Sequence, residues 1–183
     1  MKHTRKKTFS TIALTFASML PLASHAADGT VTFTGILSAQ TCEIRGNGGG
    51  KDFTVKLPPI STTTLAKAGA TAGRTPFNIT LSNCAAASGI ATFFESGPTT
   101  NAITGALKNS TALGSASNVE VALLNKDESK IKLGAPQALQ GVPFVAAAKA
   151  GGATLEYMAQ YSATGVSTAG PINTSTVYSI VYQ

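Results

Sequence analysis

Apolar residues recur at every second position in segment after segment of this chain, the period of a pleated strand with one face buried. Phe77, Ile79 and Leu81 alternate with Asn78, Thr80 and Ser82. Val119, Val121 and Leu123 do the same, as do Leu155, Tyr157, Ala159 and Tyr161. At the C-terminus Tyr178, Ile180 and Tyr182 alternate with Val177, Ser179 and Val181. Further strands are expected over Thr30–Leu37, over Phe53, Val55 and Leu57, from Ile90 to Glu95 with Phe93 and Phe94 on opposite faces, and at Val142 and Phe144, and a short apolar piece lies around Cys42 and Ile44. A glycine-rich loop from Gly46 to Gly50 and the pair Pro58–Pro59 break the runs, and the stretch from Ser61 to Gly73 has room only for a short helical turn around Leu65. The polar turn from Lys126 to Ser129, with Ile131 and Leu133 returning, predicts a hairpin. Only 12% of residues are charged, while Ala, Gly, Thr and Ser are abundant. The expectation is an all-β sandwich.

The first residues have a different purpose. Lys2, Arg5, Lys6 and Lys7 precede a largely apolar stretch from Phe9 to Leu22, and Ser24 and Ala26 stand at the −3 and −1 positions of a cleavage site before Ala27. That layout reads residues 1–26 as a secretory signal peptide, too short and too interrupted to span a bilayer. No integral membrane segment remains once it is removed. The whole chain carries a net charge of +6, but four of its 14 basic residues lie in this leader, and the remainder is nearly balanced. No basic patch survives to hold nucleic acid. The remaining length suits a single domain. Cys42 and Cys84 are the only cysteines, so in an exported chain one disulfide between them is the economical reading.

Little in the mature sequence speaks for chemistry. Both histidines, His3 and His25, fall in the leader, leaving no imidazole for a triad, a general base or a metal shell. Ser129 and Lys132 have an S-x-x-K spacing but sit on a polar turn without the companion motifs of such enzymes. The acidic residues are scattered, with only Asp127 and Glu128 adjacent. The sequons at Asn78, Asn109 and Asn173 matter only in a glycosylating host. All four tyrosines lie between Tyr157 and Tyr182, a clustering that suits a sugar-binding surface but suits core or groove packing better. The reading is a non-enzyme with no cofactor and no metal.

Several pieces together resemble the structural pilins of the bacterial chaperone–usher pathway, of the type 1 fimbrial major-subunit kind. They are GTVTFTG near the N-terminus, Cys42 soon after it, PFNITLSNC ending at Cys84, NVEVALLN, and the closing VYSIVYQ with Tyr182 next to last. Gly170, fourteenth from the C-terminus, also matches the pattern. The resemblance implies an incomplete immunoglobulin-like β-sandwich lacking its seventh strand, completed by a donor strand from a neighbouring subunit. It implies a donor extension over residues 27–39 and a pilin domain over 40–183. In the extension, Val31, Phe33 and Leu37 are the plugs, and Gly35 marks the place where only hydrogen fits. Gly170, Tyr178, Ile180 and Tyr182 are the implied residues of the acceptor groove and of chaperone and usher recognition, with Val55 and Leu57 contributing from the opposite edge.

The function so implied is that of a fimbrial subunit supporting cell adhesion, exported through the periplasm to the cell surface. Its partners would be other copies of itself, a periplasmic chaperone and an outer-membrane usher. Two other readings stay open: a minor subunit or tip adaptor with a glycan-binding role, and a self-contained periplasmic sandwich. Alternation alone reads Thr30–Leu37 as this domain's own first strand, whereas the resemblance makes it a strand given to another copy.

Overall fold

The longest alternating runs form the longest strands. In the computed structural model, which describes residues 31, 32, 34, 42–84, 89–147 and 151–183, there are eight: β1 (Glu43–Gly46), β2 (Thr71–Ser82), β3 (Ile90–Phe94), β4 (Thr100–Asn101), β5 (Ala106–Lys108), β6 (Val119–Asn125), β7 (Ala153–Ala163) and β8 (Tyr178–Tyr182). They make a six-stranded sheet in the order β1-β2-β7-β6-β5-β4 and a two-stranded sheet β3-β8. Every ladder is antiparallel. The chain divides into the units Met1–Leu37 and Ser38–Gln183. In the first only Val31, Thr32 and Thr34 are described, and all three are exposed; Phe33, Gly35 and Leu37 lie outside the described residues.

The inward faces of the two sheets make the core. Ile79, Leu81, Leu155, Leu123 and Val121 from the large sheet meet Ile90 and Phe94 from the small one. Tyr157 belongs to this interior, its ring edge-on to Phe94 at 5.4 Å and tilted against Phe77 at 5.6 Å. A smaller cluster of Leu65, Ala116, Val119, Tyr161 and Ala163 fills one end. Cys42 and Cys84 are joined, continuing the β1–β2 ladder that begins at the Glu43 and Ser82 pair. In β2 the register shifts between Ala72 and Thr75, and Gly73, at φ +67°, leaves room for the ring of Tyr161 to lie against its backbone.

The outer edge of β3 is covered in an unusual way. Ile90 and Val145 exchange two backbone hydrogen bonds at 2.8 Å. Farther along, the side chain of Gln140 takes the place of a backbone. Its Oε1 accepts from Phe94 N–H at 3.1 Å, and its Nε2 donates to the Phe94 carbonyl at 2.7 Å and to the Ala135 carbonyl at 3.2 Å. An amide side chain has the same donor and acceptor as a peptide unit, so one buried glutamine completes an edge that the passing loop does not follow.

Three expectations change. Ile131–Leu133 returns along β6, with Ile131 N–H bonded to the Leu123 carbonyl, but forms no strand because the chain turns away at Gly134. Val142 and Phe144 give a single bridge at Val145 rather than a strand. Phe53–Leu57 keeps its alternation, with Phe53, Val55 and Leu57 half-buried and Asp52, Thr54 and Lys56 exposed, yet enters no ladder. The helical turn around Leu65 is present as a 3-10 turn over Thr62–Leu65, started by the Ser61 hydroxyl.

Candidate functional site: a groove beside the last strand

The unpaired segment and the last strand face each other. Between residues 51–57 and the approach to β8 lies a cavity of about 610 Å³. Phe53, Val55 and Leu57 form one wall, and Ile172, Thr174, Thr176 and Tyr178 form the other. Phe77, Ile79, Phe94, Val121 and Leu123, all buried core residues, form its floor. The groove therefore opens directly onto the interior of the sandwich.

Backbone geometry defines its edges. In the β3–β8 ladder Glu95 N–H bonds to the Val177 carbonyl and Gln183 N–H to the Gly89 carbonyl. Odd-numbered residues of β8 thus turn their peptide groups toward β3, and Tyr178, Ile180 and Tyr182 turn theirs toward the groove side. Across the cavity, among the described residues, no backbone hydrogen bond joins residues 52–57 to any strand. Among the described residues, two edges whose facing donors and acceptors enter no ladder stand either side of an apolar floor. Thr174 Oγ1, in the wall, is buried without a partner.

The tyrosines of β8 reach across. Tyr178 donates from its hydroxyl to the Lys51 carbonyl at 2.7 Å, and its ring stands edge-on to Phe53 at 6.2 Å. Burial raises its phenol above the ordinary value of 10, and the Asp52 carboxylate adds to the shift. Tyr182 donates to Cys42 Sγ at 3.2 Å; burial raises its phenol too, opposed in part by a hydrogen bond with the Cys42 backbone. Ile180 lies between them on β8, half-buried against the core.

Tyr178, Val55 and Leu57 line the groove. Gly170 lies elsewhere, in the connection before β8. Its φ is +152°, and a Cβ there would collide with the backbone of residues 114–116. Of the expected donor residues only Val31 is described, and it is exposed. The sequence reading missed Phe53's contact with Tyr178 and the wall formed by Ile172, Thr174 and Thr176. The alternation visible at Tyr178–Tyr182 extends back through those three positions, a signal muted by threonine. Among the described residues no group of three or more His, Cys, Asp or Glu is placed to hold a metal ion.

A family model described as type-1 fimbrial protein, A matches residues 57–183. The chain belongs to that family. The major fimbrial subunit SMF-1 of Stenotrophomonas maltophilia (strain K279a) is 44% identical over 166 residues, covering 89% of this chain and 97% of that protein. The F17 fimbrial protein of Escherichia coli is 44% identical over 167 residues, covering 88% and 91%. In fold the chain matches the crystal structure of the P pilus rod subunit PapA with a TM-score of 0.59 at 18% identity, covering 78% of this chain and 99% of that one. It is a fimbrial subunit of the major-subunit type, from a family of structural proteins that are not enzymes. The groove itself has backbone groups along its rims and an apolar floor between them.

Proposed function

We propose that this fimbrial subunit polymerises head to tail by accepting a strand from the next copy between β8 and residues 51–57. The observation that carries the reading is the pair of facing edges with unspent backbone groups over an apolar floor. Such an edge left open is a template for aggregation, and a strand laid into it supplies main-chain hydrogen bonds while alternate side chains enter the floor. The donor is the segment 27–39, exposed on removal of residues 1–26, with Val31, Phe33 and Leu37 as plugs and Gly35 over a shallow position. Burying three such plugs contributes roughly 5 to 9 kcal/mol on an area basis, before ordering costs. Each backbone bond adds about 0.5 to 1.5 kcal/mol. Because each copy gives at one end and receives at the other, the contact does not close and a filament grows.

In this reading a periplasmic chaperone fills the groove first, with Tyr178, Ile180 and Tyr182 as the edge it pairs with. An outer-membrane usher is where the next subunit replaces it, and the fimbria reaches the cell surface to support adhesion. Gly170 holds the chain that leads into the edge strand. The test is removal of Ala27–Leu37 from the secreted chain. A chaperone-bound subunit still accumulates, and filaments on electron micrographs disappear. Filaments of normal length from the truncated chain would refute the proposal.

A further inference from the structure

Strand donation, the reading on which a second contact between copies rests, gives the joint a direction, and direction decides which surfaces of two consecutive copies meet. The groove is lined by Leu57 and Ile172 at one end and by Tyr178 toward the other, from which the β8 rim continues to Tyr182, beside Cys42. Every ladder in the domain is antiparallel, the more stable pairing for an added edge strand. A donor antiparallel to β8 leaves the groove with Leu37 at the Leu57 and Ile172 end. Five Cα steps separate Leu37 from Cys42 of the same donor copy, at most about 18 Å of chain. The Cys42 end of one copy must therefore come to rest close to the Leu57 and Ile172 end of the other.

Both ends have the surface such a meeting calls for. The receiving end consists of residues 60–70, 109–118 and 164–171, among which Lys67 is the only charged residue. Two large apolar side chains stand out from it, Leu113 at 106% relative exposure and Val166 at 68%. The loops that present them are braced. Asn109 Nδ2 donates to the Ala116 and Pro171 carbonyls, Asn118 Nδ2 to the Val166 carbonyl, and Ser117 and Thr168 pair through their hydroxyls. Beneath them Leu65, Ala116 and Val119 form a small core of their own. The presenting end also lacks charge over residues 142–147, and there Phe144 and Val145 are 40% and 38% exposed. It lies beside Gly89, whose carbonyl accepts from Gln183 N–H at the end of β8. Charge depletion with exposed apolar anchors on a fixed scaffold is the composition of an interface centre.

We infer that consecutive copies share a second contact besides the inserted strand: the end carrying Leu113 and Val166 on the copy that receives it seats against the end carrying Phe144 and Val145 on the copy that gives it. The occupant is a second copy of this chain, selected by the short tether.

Hydroxyl-radical footprinting of filaments of the unaltered full chain, compared with the chaperone-bound subunit, tests this directly. Oxidation of Leu113, Val166 and Phe144 falls at least fivefold in filaments, while Ile103, exposed on the β4–β5 turn, changes less than twofold. Unchanged oxidation at Leu113 and Val166 in intact filaments overturns the inference and leaves strand donation standing. Pairing Leu113→Cys with Phe144→Cys gives, after mild oxidation, a ladder of multimers that survives boiling in detergent and collapses on reduction, and neither single substitution gives one. Filaments of the double variant without that ladder, or dimers from Phe144→Cys alone, which signal a parallel donor, overturn the inference as well. Protection of Leu113 by added glycans in the chaperone-bound subunit, with no protection in filaments, assigns the surface to a receptor instead.

Discussion

Gln140 completes the outer edge of β3 at Phe94, a residue of the groove's floor, and replacing it isolates what one side chain contributes there. It is 1% exposed, and its amide satisfies both peptide groups of Phe94, with a third bond to the Ala135 carbonyl. Gln140→Met keeps the length and most of the volume but neither donates nor accepts. The Phe94 N–H and carbonyl are then left unpaired in the interior at about 1–3 kcal/mol each, offset by about 1–2 kcal/mol from no longer burying an amide. Taken at the middle of these ranges, the net loss is about 2–3 kcal/mol, or a fall of roughly 5–10 °C in Tm for a domain of this size. Urea and thermal unfolding of the purified mature subunit measure it, and hydrogen exchange at Phe94 N–H locates it. Gln140→Glu adds a signature that packing alone cannot give. The protonated acid still donates to the Phe94 carbonyl, whereas the carboxylate faces two carbonyl oxygens, so the folded-state pKa of the new group is raised. Its stability is then full below the unfolded pKa of about 4.3 and is lost as pH rises through the folded one. A Gln140→Met variant within about 0.5 kcal/mol of the parent, or a Gln140→Glu variant with no pH dependence, refutes the assignment.

Three other outcomes follow from the same geometry. Gly170→Ala drives a Cβ into the backbone of residues 114–116 and lowers stability by about 2–4 kcal/mol, read as a drop in the urea midpoint; an unchanged midpoint places the role of this glycine outside the fold. Burial raises the phenols of Tyr157, Tyr161, Tyr178 and Tyr182, so their contribution is whole below the unfolded value of about 10 and is lost as pH climbs past it. Unfolding midpoints measured from pH 8 to 11 should decline from about pH 10, and a flat or rising curve contradicts the burial of these rings. Gly35→Leu overfills the shallow position proposed opposite it and slows strand uptake from the chaperone complex at least tenfold in a stopped-time gel assay; unaltered kinetics refute the assigned register.

How much of this was legible in the sequence depends on which physical interaction each feature rests on. Alternation reports which side chains enter a core, so β2, β6, β7 and β8 were readable from Phe77–Leu81, Val119–Leu123, Leu155–Tyr161 and Tyr178–Tyr182. It says nothing about where peptide groups find partners. Phe53, Val55 and Leu57 alternate as cleanly as a paired strand because their side chains do enter the core, while among the described residues their backbone joins no ladder. The same limit hid Gln140, a lone polar residue in a loop whose meaning exists only once Phe94 is beside it, and it hid β4 and β5, too short to show a period. Hydrogen bonding between distant segments is the interaction least written into local sequence, and in this protein it is also what the groove depends on. A complete sandwich and one wanting a strand share the same alternation along Phe53–Leu57 and Tyr178–Tyr182. What marks the groove is that, among the described residues, the peptide groups facing the gap on both rims enter no ladder, over a floor that already belongs to the core.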